Sequence, residues 1–256
     1  MSKAISNQAL AGVEEHSSVS ATFTIEPLHA GYGNTLGNSL RRVLLSSIQG
    51  GAVVAFRIEG ASHEFTTVAG VKEDVVDIML NLKNVRLKVH TDDPIELRLE
   101  KKGAGPITAA DIKTTADVEV VNPTQIIATI DDPKKSVVMD LVVESGRGYR
   151  TVDESSVKRL HSDMIALDAV FTPVLRVRYK VDGTRVGQET NLDKLRLSVE
   201  TDGTITPKEA FEEAAAILVN QYSALAGSTT VEAAPALGQS EGDETSELNT
   251  PIEDLN

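Results

Sequence analysis

The 256-residue chain contains no cysteine, which excludes disulfide scaffolds, thiolate zinc sites and cysteine nucleophiles. It also lacks the H-E-x-x-H pair of zinc proteases, because its five histidines are far apart. No Asp-x-Asp pair occurs either, so the converging carboxylates of two-metal phosphoryl transfer are not evident. We therefore predict that this chain has no catalytic residue, no metal site and no cofactor.

The chain also lacks long apolar segments. No stretch of about 18 apolar residues is present, as a membrane-spanning helix would require. The N-terminus, MSKAISNQALAGVEEHSS, has no apolar core of a signal peptide. Together with the absence of cysteine, this pattern predicts a cytoplasmic protein that does not associate with membranes.

Positive charge is scarce, and the formal net charge is −13. This balance argues against the chain binding nucleic acid alone, since phosphate contacts draw on clustered Lys and Arg. Much of the negative charge lies beyond residue 226. Residues 227–250 are rich in Gly, Ala, Ser, Thr and Glu without periodicity, which predicts a flexible acidic linker.

Residues 31–48, GYGNTLGNSLRRVLLSSI, predict an amphipathic helix that follows a turn. Their apolar residues recur at the three- and four-residue spacing of one helical face: Leu36, Leu40, Val43, Leu44 and Ile48. Arg41 and Arg42 flank this face. Because burying an unpaired charge costs several kcal/mol, we expect the arginines to lie on a charged side that contacts another protein.

Alternation of apolar and polar residues predicts strands near both ends of the chain. Residues 19–25 alternate before a turn rich in Pro and Gly, and residues 174–181 alternate before Asp182-Gly183, where we predict a tight hairpin. Residues 194–200 repeat the pattern before Thr206-Pro207-Lys208-Glu209, a capping box that starts a second helix. The apolar stripe of that helix comprises Phe211, Ala214, Ala215, Leu218, Tyr222 and Leu225.

The two amphipathic helices lie near opposite ends of residues 1–226, and each is next in sequence to strands with alternating apolar and polar residues. We therefore predict an α+β fold in which residues 1–50 and 169–226 form one discontinuous domain, an antiparallel sheet with two amphipathic helices. Residues 51–168 are predicted to be an inserted mixed α/β lobe, with a further helix in VKEDVVDIMLNL (71–82).

Several long blocks resemble the bacterial RNA polymerase α subunit. They include IEPLHAGYGNTLGNSLRRVLLSS (25–47), HEFTTVAGVKEDVVDIMLNLKNV (63–85), GRGYR (146–150) and TNLDKLRLSVETDGTITPKEAFEEAAAIL (190–218). The resemblance covers nearly all of residues 19–225. It implies that the discontinuous domain is the family's dimerisation domain and that the final residues, PIEDLN (251–256), are the stub of a missing C-terminal DNA-binding domain. Promoter DNA and activators would then be reached only through that missing domain.

The resemblance also implies a function. Two copies would form a homodimer, the β subunit would dock on one copy, and β′ would then complete a DNA-directed RNA polymerase, a nucleotidyltransferase whose activity belongs to the complex. The implied β contacts are Arg42 and Arg41, and the implied β′ contact is Lys83. Glu64 and Arg147 also lie in matching blocks and rank below Arg42, since each could instead form an intramolecular ion pair that holds the lobe together. The implied dimer interface comprises Leu36, Leu40, Val43, Leu44, Phe211, Leu218, Tyr222 and Leu225.

Three alternatives remain open at this point. Both apolar stripes could cover their own sheet instead of a second copy. The segment Gly31-Tyr32-Gly33-Asn34-Thr35-Leu36-Gly37 imitates a dinucleotide-binding loop and would suit a nucleotide-binding enzyme, although its spacing is G-x-G-x-x-x-G. The chain could also be an unrelated self-associating adaptor.

Overall fold

The computed structural model describes residues 10–152 and 164–227 of the chain. The predicted linker beyond residue 227 and the C-terminal stub therefore lie outside the described residues. Within them are three α-helices, α1 (Tyr32–Ser46), α2 (Val75–Lys83) and α3 (Pro207–Ala226). In chain order, the strands are β1 (Leu10–Ser17), β2 (Ser20–His29), β3 (Gln49–Ile58), β4 (Leu87–Val89), β5 (Ile95–Lys102), β6 (Gly105–Thr108), β7 (Ile112–Lys113), β8 (Val118–Val120), β9 (Ile126–Ile130), β10 (Ser136–Arg147), β11 (Tyr149–Arg150), β12 (Ile165–Ala166), β13 (Ala169–Val170), β14 (Val174–Val186) and β15 (Glu189–Thr201).

Strands from both ends of the described chain form a four-stranded antiparallel sheet in the order β1-β2-β15-β14. Alternate residues of β15, such as Leu195, Leu197 and Val199, are fully buried, as the period-two pattern of a half-buried strand requires. They form one hydrophobic core with buried residues of α1 and α3. Both amphipathic helices therefore pack on this sheet.

The segment between these strands forms a separate seven-stranded sheet. Its order is β7-β5-β10-β3-β4-β8, with β12 paired to β3, and all its pairs are antiparallel. Helix α2 packs into the core of this sheet through Val75, Ile78 and Leu82. Two further pairs form two-stranded ribbons, β6 with β9 and β11 with β13. The predicted α+β fold with antiparallel sheets is confirmed.

The start of α3 agrees with the sequence in detail. The Thr206 hydroxyl accepts a hydrogen bond from the backbone N–H of Glu209, and the Glu209 carboxylate accepts one from the backbone N–H of Thr206. This reciprocal pair is the predicted capping box, with Pro207 in the first turn. The bond from the Thr206 backbone N–H, with a second from the Thr206 hydroxyl at 2.8 Å, holds the pKa of the Glu209 carboxyl below its usual range.

The predicted hairpin at Asp182-Gly183 is wrong, because β14 continues through both residues to Val186. Asp182 lies opposite Lys194 in the sheet and its carboxylate pairs with Lys180 and Arg196. Gly183 has no positive φ, whereas the turn further on contains Gly187 with φ 59°. The ladder between β14 and β15 thus continues past the turn-forming dipeptide, and the ion pair of Asp182 with Arg196 joins the two strands there. Strand β2 is likewise longer than predicted and ends at His29.

Candidate protein-interaction surface

Helix α1 is positioned at its first turn by a residue from β15. Gly31 occupies the N-cap position with φ 87° and offers no side-chain cap. Instead, Oδ2 of Asp193 accepts hydrogen bonds from the backbone N–H groups of Gly31 at 2.9 Å and Gly33 at 3.1 Å. A carboxylate here satisfies unpaired amides and places negative charge at the positive end of the helix dipole.

The inner face of α1 belongs to the core of its own chain. Leu44 and Ile48 have no exposed surface, and Leu40 is 5% exposed. Leu36 and Val43 are half-buried against the same core. Of the α1 residues predicted for the dimer interface, Leu40 and Leu44 therefore pack on the sheet. Leu36 and Val43 keep surface available to a second molecule.

Arg41 and Arg42 are both exposed on the outer side of α1, near the middle of the helix. The backbone oxygen of Arg42 accepts a hydrogen bond from the Ser46 hydroxyl at 2.8 Å. Each guanidinium presents a fixed planar set of donors that suits a carboxylate on a partner protein.

Helix α3 changes character along its length. At its start, Ala210 and Ala214 are buried, and the ring of Phe211 stacks on that of Phe23 with centroids 4.4 Å apart. Leu218 is half-buried against the same core. Towards the end of the helix, three large apolar side chains lose this cover: Val219 is 64%, Tyr222 54% and Leu225 82% exposed. The spacing of three residues places them along one helical face.

Lys83 lies at the end of α2, against the other sheet, so the structure does not bring it onto the element that carries Arg42. Its ammonium forms an ion pair with the Asp168 carboxylate, which also accepts a hydrogen bond from the Tyr149 hydroxyl at 3.0 Å. The bond from Lys83 lowers the pKa of Asp168 below its ordinary value of 3.8, although partial burial opposes the shift. Lys83 is thus held in one orientation with about 29% of its side chain exposed.

The two lower-ranked residues lie elsewhere. Glu64 is half-buried in the loop between β3 and α2, and Arg147 is exposed at the end of β10. The buried carboxylate near Arg147 belongs to Glu144, which pairs with Arg150 at 2.5 Å. The guanidinium carbon of Arg150 lies 4.9 Å from the centre of the Phe171 ring, within cation–π range.

Sequence reasoning missed Asp168, Tyr149 and Asp193, all of which orient predicted contact residues or their helix. Asp193 lies in the block TNLDKL, so its presence in a family-like motif was a signal. Its role depends on pairing with amides about 160 residues earlier in the chain, and a linear pattern does not show this pairing.

The structure counts against a dinucleotide site at the start of α1. The amides of Gly31 and Gly33, which would bind phosphate in such a loop, already donate to Asp193. That carboxylate would repel a phosphate, and the strand before α1 belongs to an antiparallel sheet instead of a parallel βαβ unit. Among the residues the structure describes, no cluster of three or more His, Asp or Glu is arranged to hold a metal ion.

None of the helices within residues 10–152 and 164–227 combines the length and apolar character needed to cross a bilayer.

Comparison with known proteins identifies similar chains. Residues 54–172 match the family model described as the RNA polymerase Rpb3/RpoA insert domain. The chain is 50% identical over 201 residues to the DNA-directed RNA polymerase subunit alpha of Roseiflexus sp. (strain RS-1), covering 78% of this chain and 61% of that protein. It is 48% identical over 207 residues to the same subunit of Moorella thermoacetica, covering 81% and 66%. For Desulfitobacterium hafniense (strain DCB-2), the identity is 50% over 209 residues, covering 82% and 66%. The chain thus matches 61 to 66% of the length of these relatives.

Proposed function

We infer that the chain belongs to the family of bacterial DNA-directed RNA polymerase α subunits, and from that premise we propose that it is an assembly scaffold for the polymerase. Two copies form a homodimer, and the dimer docks the β and β′ subunits to build the core enzyme. The chain contributes position and no catalytic group, so nucleotidyl transfer belongs to the assembled complex.

The observation that carries this proposal is the exposed apolar end of α3. The earlier part of α3 packs in the same hydrophobic core as α1. Tyr222 and Leu225 leave apolar surface facing solvent although the rest of the helix packs in the core. Exposed contiguous apolar residues mark protein interaction sites. A second copy would cover this surface across a two-fold axis, in an interface that we expect to bury more than about 2,000 Å².

The division of labour follows the two sheets. We assign residues 1–50 and 169–226 to the dimerisation domain and residues 51–168 to the inserted lobe. Dimer contacts come from the parts of the predicted interface that retain surface: Leu36, Val43, Phe211, Leu218, Tyr222 and Leu225. Leu40 and Leu44 support that interface from beneath, since they fill the core under α1.

The two large subunits meet different residues. Arg42, with Arg41 beside it, docks β through carboxylates, because both guanidinium groups are exposed on α1. Lys83 docks β′, with Asp168 and Tyr149 fixing its orientation. Since Arg42 and Lys83 lie on elements packed against different sheets, the two contacts can form independently.

The test is the molar mass of the chain by light scattering, alone and with a purified bacterial RNA polymerase β subunit. We expect about 55 kDa alone, twice the 27.4 kDa of one chain, and a larger stable complex with β. A 27.4 kDa species that does not bind β would contradict the scaffold function.

Arg42→Ala provides the residue-level test. We expect the dimer mass and the unfolding midpoint to be unchanged, because Arg42 is exposed. The affinity for β should fall by at least about tenfold, as truncation of a buried charged contact costs roughly 2 kcal/mol or more. Arg42→Lys is the matched control: it keeps the charge but loses the bidentate geometry, so its affinity should be intermediate. Loss of the dimer in Arg42→Ala would place this side chain in the dimer interface instead.

A further inference from the structure

Helix α1, which carries the proposed β contact, has no capping group of its own. Its N-cap is Gly31, and its first turn contains no acidic residue. The first amides of a helix have no partner within the helix and require an acceptor from elsewhere. In this chain the acceptor is Asp193 of β15, about 160 residues further along.

The sheet directs Asp193 at the helix. Asp193 shares a strand face with the buried residues Leu195 and Leu197 that pack under α1 and α3, because it precedes them at even spacing. The register between β15 and β2 shifts beside it, with Asp193 opposite Leu28 and Leu195 opposite Ile25, so the extra residue lies on β2. The pairing of β15 with β14 is unbroken from Asp193 to Leu195, which keeps the alternation along β15. The Asp193 carboxylate thus lies at the amino end of α1.

Two glycines fix the remaining freedom of α1. An added Cβ on Gly33 would lie 2.6 Å from Cγ1 of Val181, and one on Gly37 would lie 2.7 Å from Cδ2 of Tyr179. The helix therefore approaches β14 at a distance that only glycine allows, and these contacts set its rotation. The position of α1 along its own axis is fixed more directly by Asp193, because both of its hydrogen bonds hold amides at the start of the helix.

Arg42 is nine residues after Gly33 on the same uninterrupted helix, so it is displaced by about 13 Å along a rigid axis at ~1.5 Å per residue. A shift at the start of α1 is therefore transmitted to Arg41 and Arg42. The position of the guanidinium groups relative to the sheet depends on the point at which Asp193 holds the first turn.

We propose that Asp193 is a positioning residue for β binding: it holds α1 in the register on the sheet that presents Arg41 and Arg42 to the β subunit. This inference rests on the proposed function. It deepens that function by assigning the geometry of the docking face to a residue that does not itself touch the partner.

The experiment measures the dissociation constant for the purified β subunit, using the full 256-residue chain, at a temperature where circular dichroism shows every variant folded. Asp193→Ala should bind β about fivefold more weakly, because loss of the cap lowers the fraction of molecules in which α1 holds the binding position. Asp193→Asn keeps an acceptor oxygen in the same place and should stay within about twofold of the parent. Both should remain dimers by light scattering.

Asp74→Ala is the matched control. The Asp74 carboxylate caps α2 by accepting a hydrogen bond from the backbone N–H of Asp77 at 2.7 Å, so its removal costs a similar cap in a helix remote from α1. It should lower the unfolding midpoint about as much as Asp193→Ala does, with no change in β affinity. Equal loss of β affinity in both variants would show that general stability, and not the position of α1, is responsible.

Asp193→Glu keeps the test decisive if Asp193→Ala does not fold. It retains the charge but moves the oxygen by one methylene, so the first turn of α1 must shift and β binding should weaken about twofold or more, within the range of a lost cap. Unchanged affinity in both variants would overturn the inference. If the parent chain itself fails to bind β, the scaffold function is wrong. If the parent chain binds β and Arg42→Ala does not, unchanged affinity in the Asp193 variants contradicts only the role of Asp193.

Discussion

At the scale of single residues, the pair formed by Lys83 and Asp168 shows how one charge is stabilised by several neighbours. Lys83 and Tyr149 both donate to the carboxylate of Asp168, and about 30% of that side chain is exposed. The hydrogen bond from Lys83 is the main cause that lowers the pKa of Asp168, and the bond from Tyr149 acts in the same direction. Because the folded state favours the ionised carboxyl, this group links stability to pH.

Asp168→Asn should therefore destabilise the protein in a pH-dependent way. A lowered folded pKa means that the stabilisation is fully present above the ordinary value of 3.8 and is lost as the pH falls through the lower folded value. At pH 7 we expect Asp168→Asn to lose about 1 kcal/mol of unfolding free energy, near the upper end for partly exposed ion pairs. The difference should shrink once the pH falls below 3.8. Urea unfolding at fixed protein concentration and several pH values measures it.

Tyr149→Phe is the control, since it removes the second donor to Asp168 and leaves Lys83 in place. It should cost less than Asp168→Asn at pH 7, because the ion pair with Lys83 remains. A penalty for Asp168→Asn that is equally large at pH 7 and below pH 3 would show that the charge of the carboxylate contributes nothing.

At the scale of elements, the close approach of α1 to β14 depends on Gly37. A Cβ at this position would lie 2.7 Å from Cδ2 of Tyr179 and 3.0 Å from Cδ1 of Leu195. Leu195 is fully buried in the sheet. Neither neighbour is the end of a long flexible chain, so the helix itself would have to move away from the sheet.

Gly37→Ala should accordingly destabilise the protein, although the same change stabilises an isolated helix by about 1 kcal/mol. Overpacking costs roughly 1 to 3 kcal/mol, and we expect a net loss of about 1 kcal/mol in urea unfolding. Asn38→Ala, at the next and exposed position of α1, is the control and should be neutral or slightly stabilising. A stabilised Gly37→Ala would mean that α1 packs on β14 less closely than the structure shows.

The sequence was sufficient for elements whose signals are local. The capping box of Thr206 and Glu209 depends on residues three positions apart, and the period-two pattern of β15 depends on its own side chains. Both predictions are confirmed for that reason. The α+β class followed from the same periodicities.

Sequence reasoning failed where distant residues decide the outcome. Asp182-Gly183 has the local chemistry of a turn, but cross-strand pairing of Asp182 with Arg196 keeps it in a strand. The capping of α1 by Asp193 joins residues about 160 positions apart. The apolar stripes also do not distinguish side chains that fill the core, such as Leu44, from side chains that remain exposed, such as Leu225.

At the scale of the whole molecule, the two sheets have separate cores, and an ion pair links the residue before β4 to the residue after β15. Arg86, just before β4, lies with its Nε 3.8 Å from Oδ2 of Asp202, whose side chain is only 6% exposed. The backbone N–H of Asp202 also donates to the oxygen of Pro173 at 2.9 Å, which holds Asp202 at the end of the sheet that carries α1. The ion pair with Arg86 connects that sheet to the segment before β4, which belongs to the sheet that α2 and Lys83 pack against.

The proposed dimer gives the prediction that distinguishes core from interface. Leu225→Asp should leave the fold intact, because the side chain is 82% exposed. It should convert the proposed dimer to a monomer, because it places a charge in the interface. Ser223→Asp places the same charge on the same exposed turn of α3 without removing apolar surface, and should remain a dimer. Leu44→Asp should instead unfold the chain, since Leu44 has no exposed surface and a buried unpaired charge is costly. Light scattering and circular dichroism together measure all three. If the end of α3 lies in the interface, dimerisation of Leu225→Asp would enclose an unpaired carboxylate between apolar helices, which is costly. A folded Leu225→Asp dimer would therefore show that the end of α3 is not part of the interface.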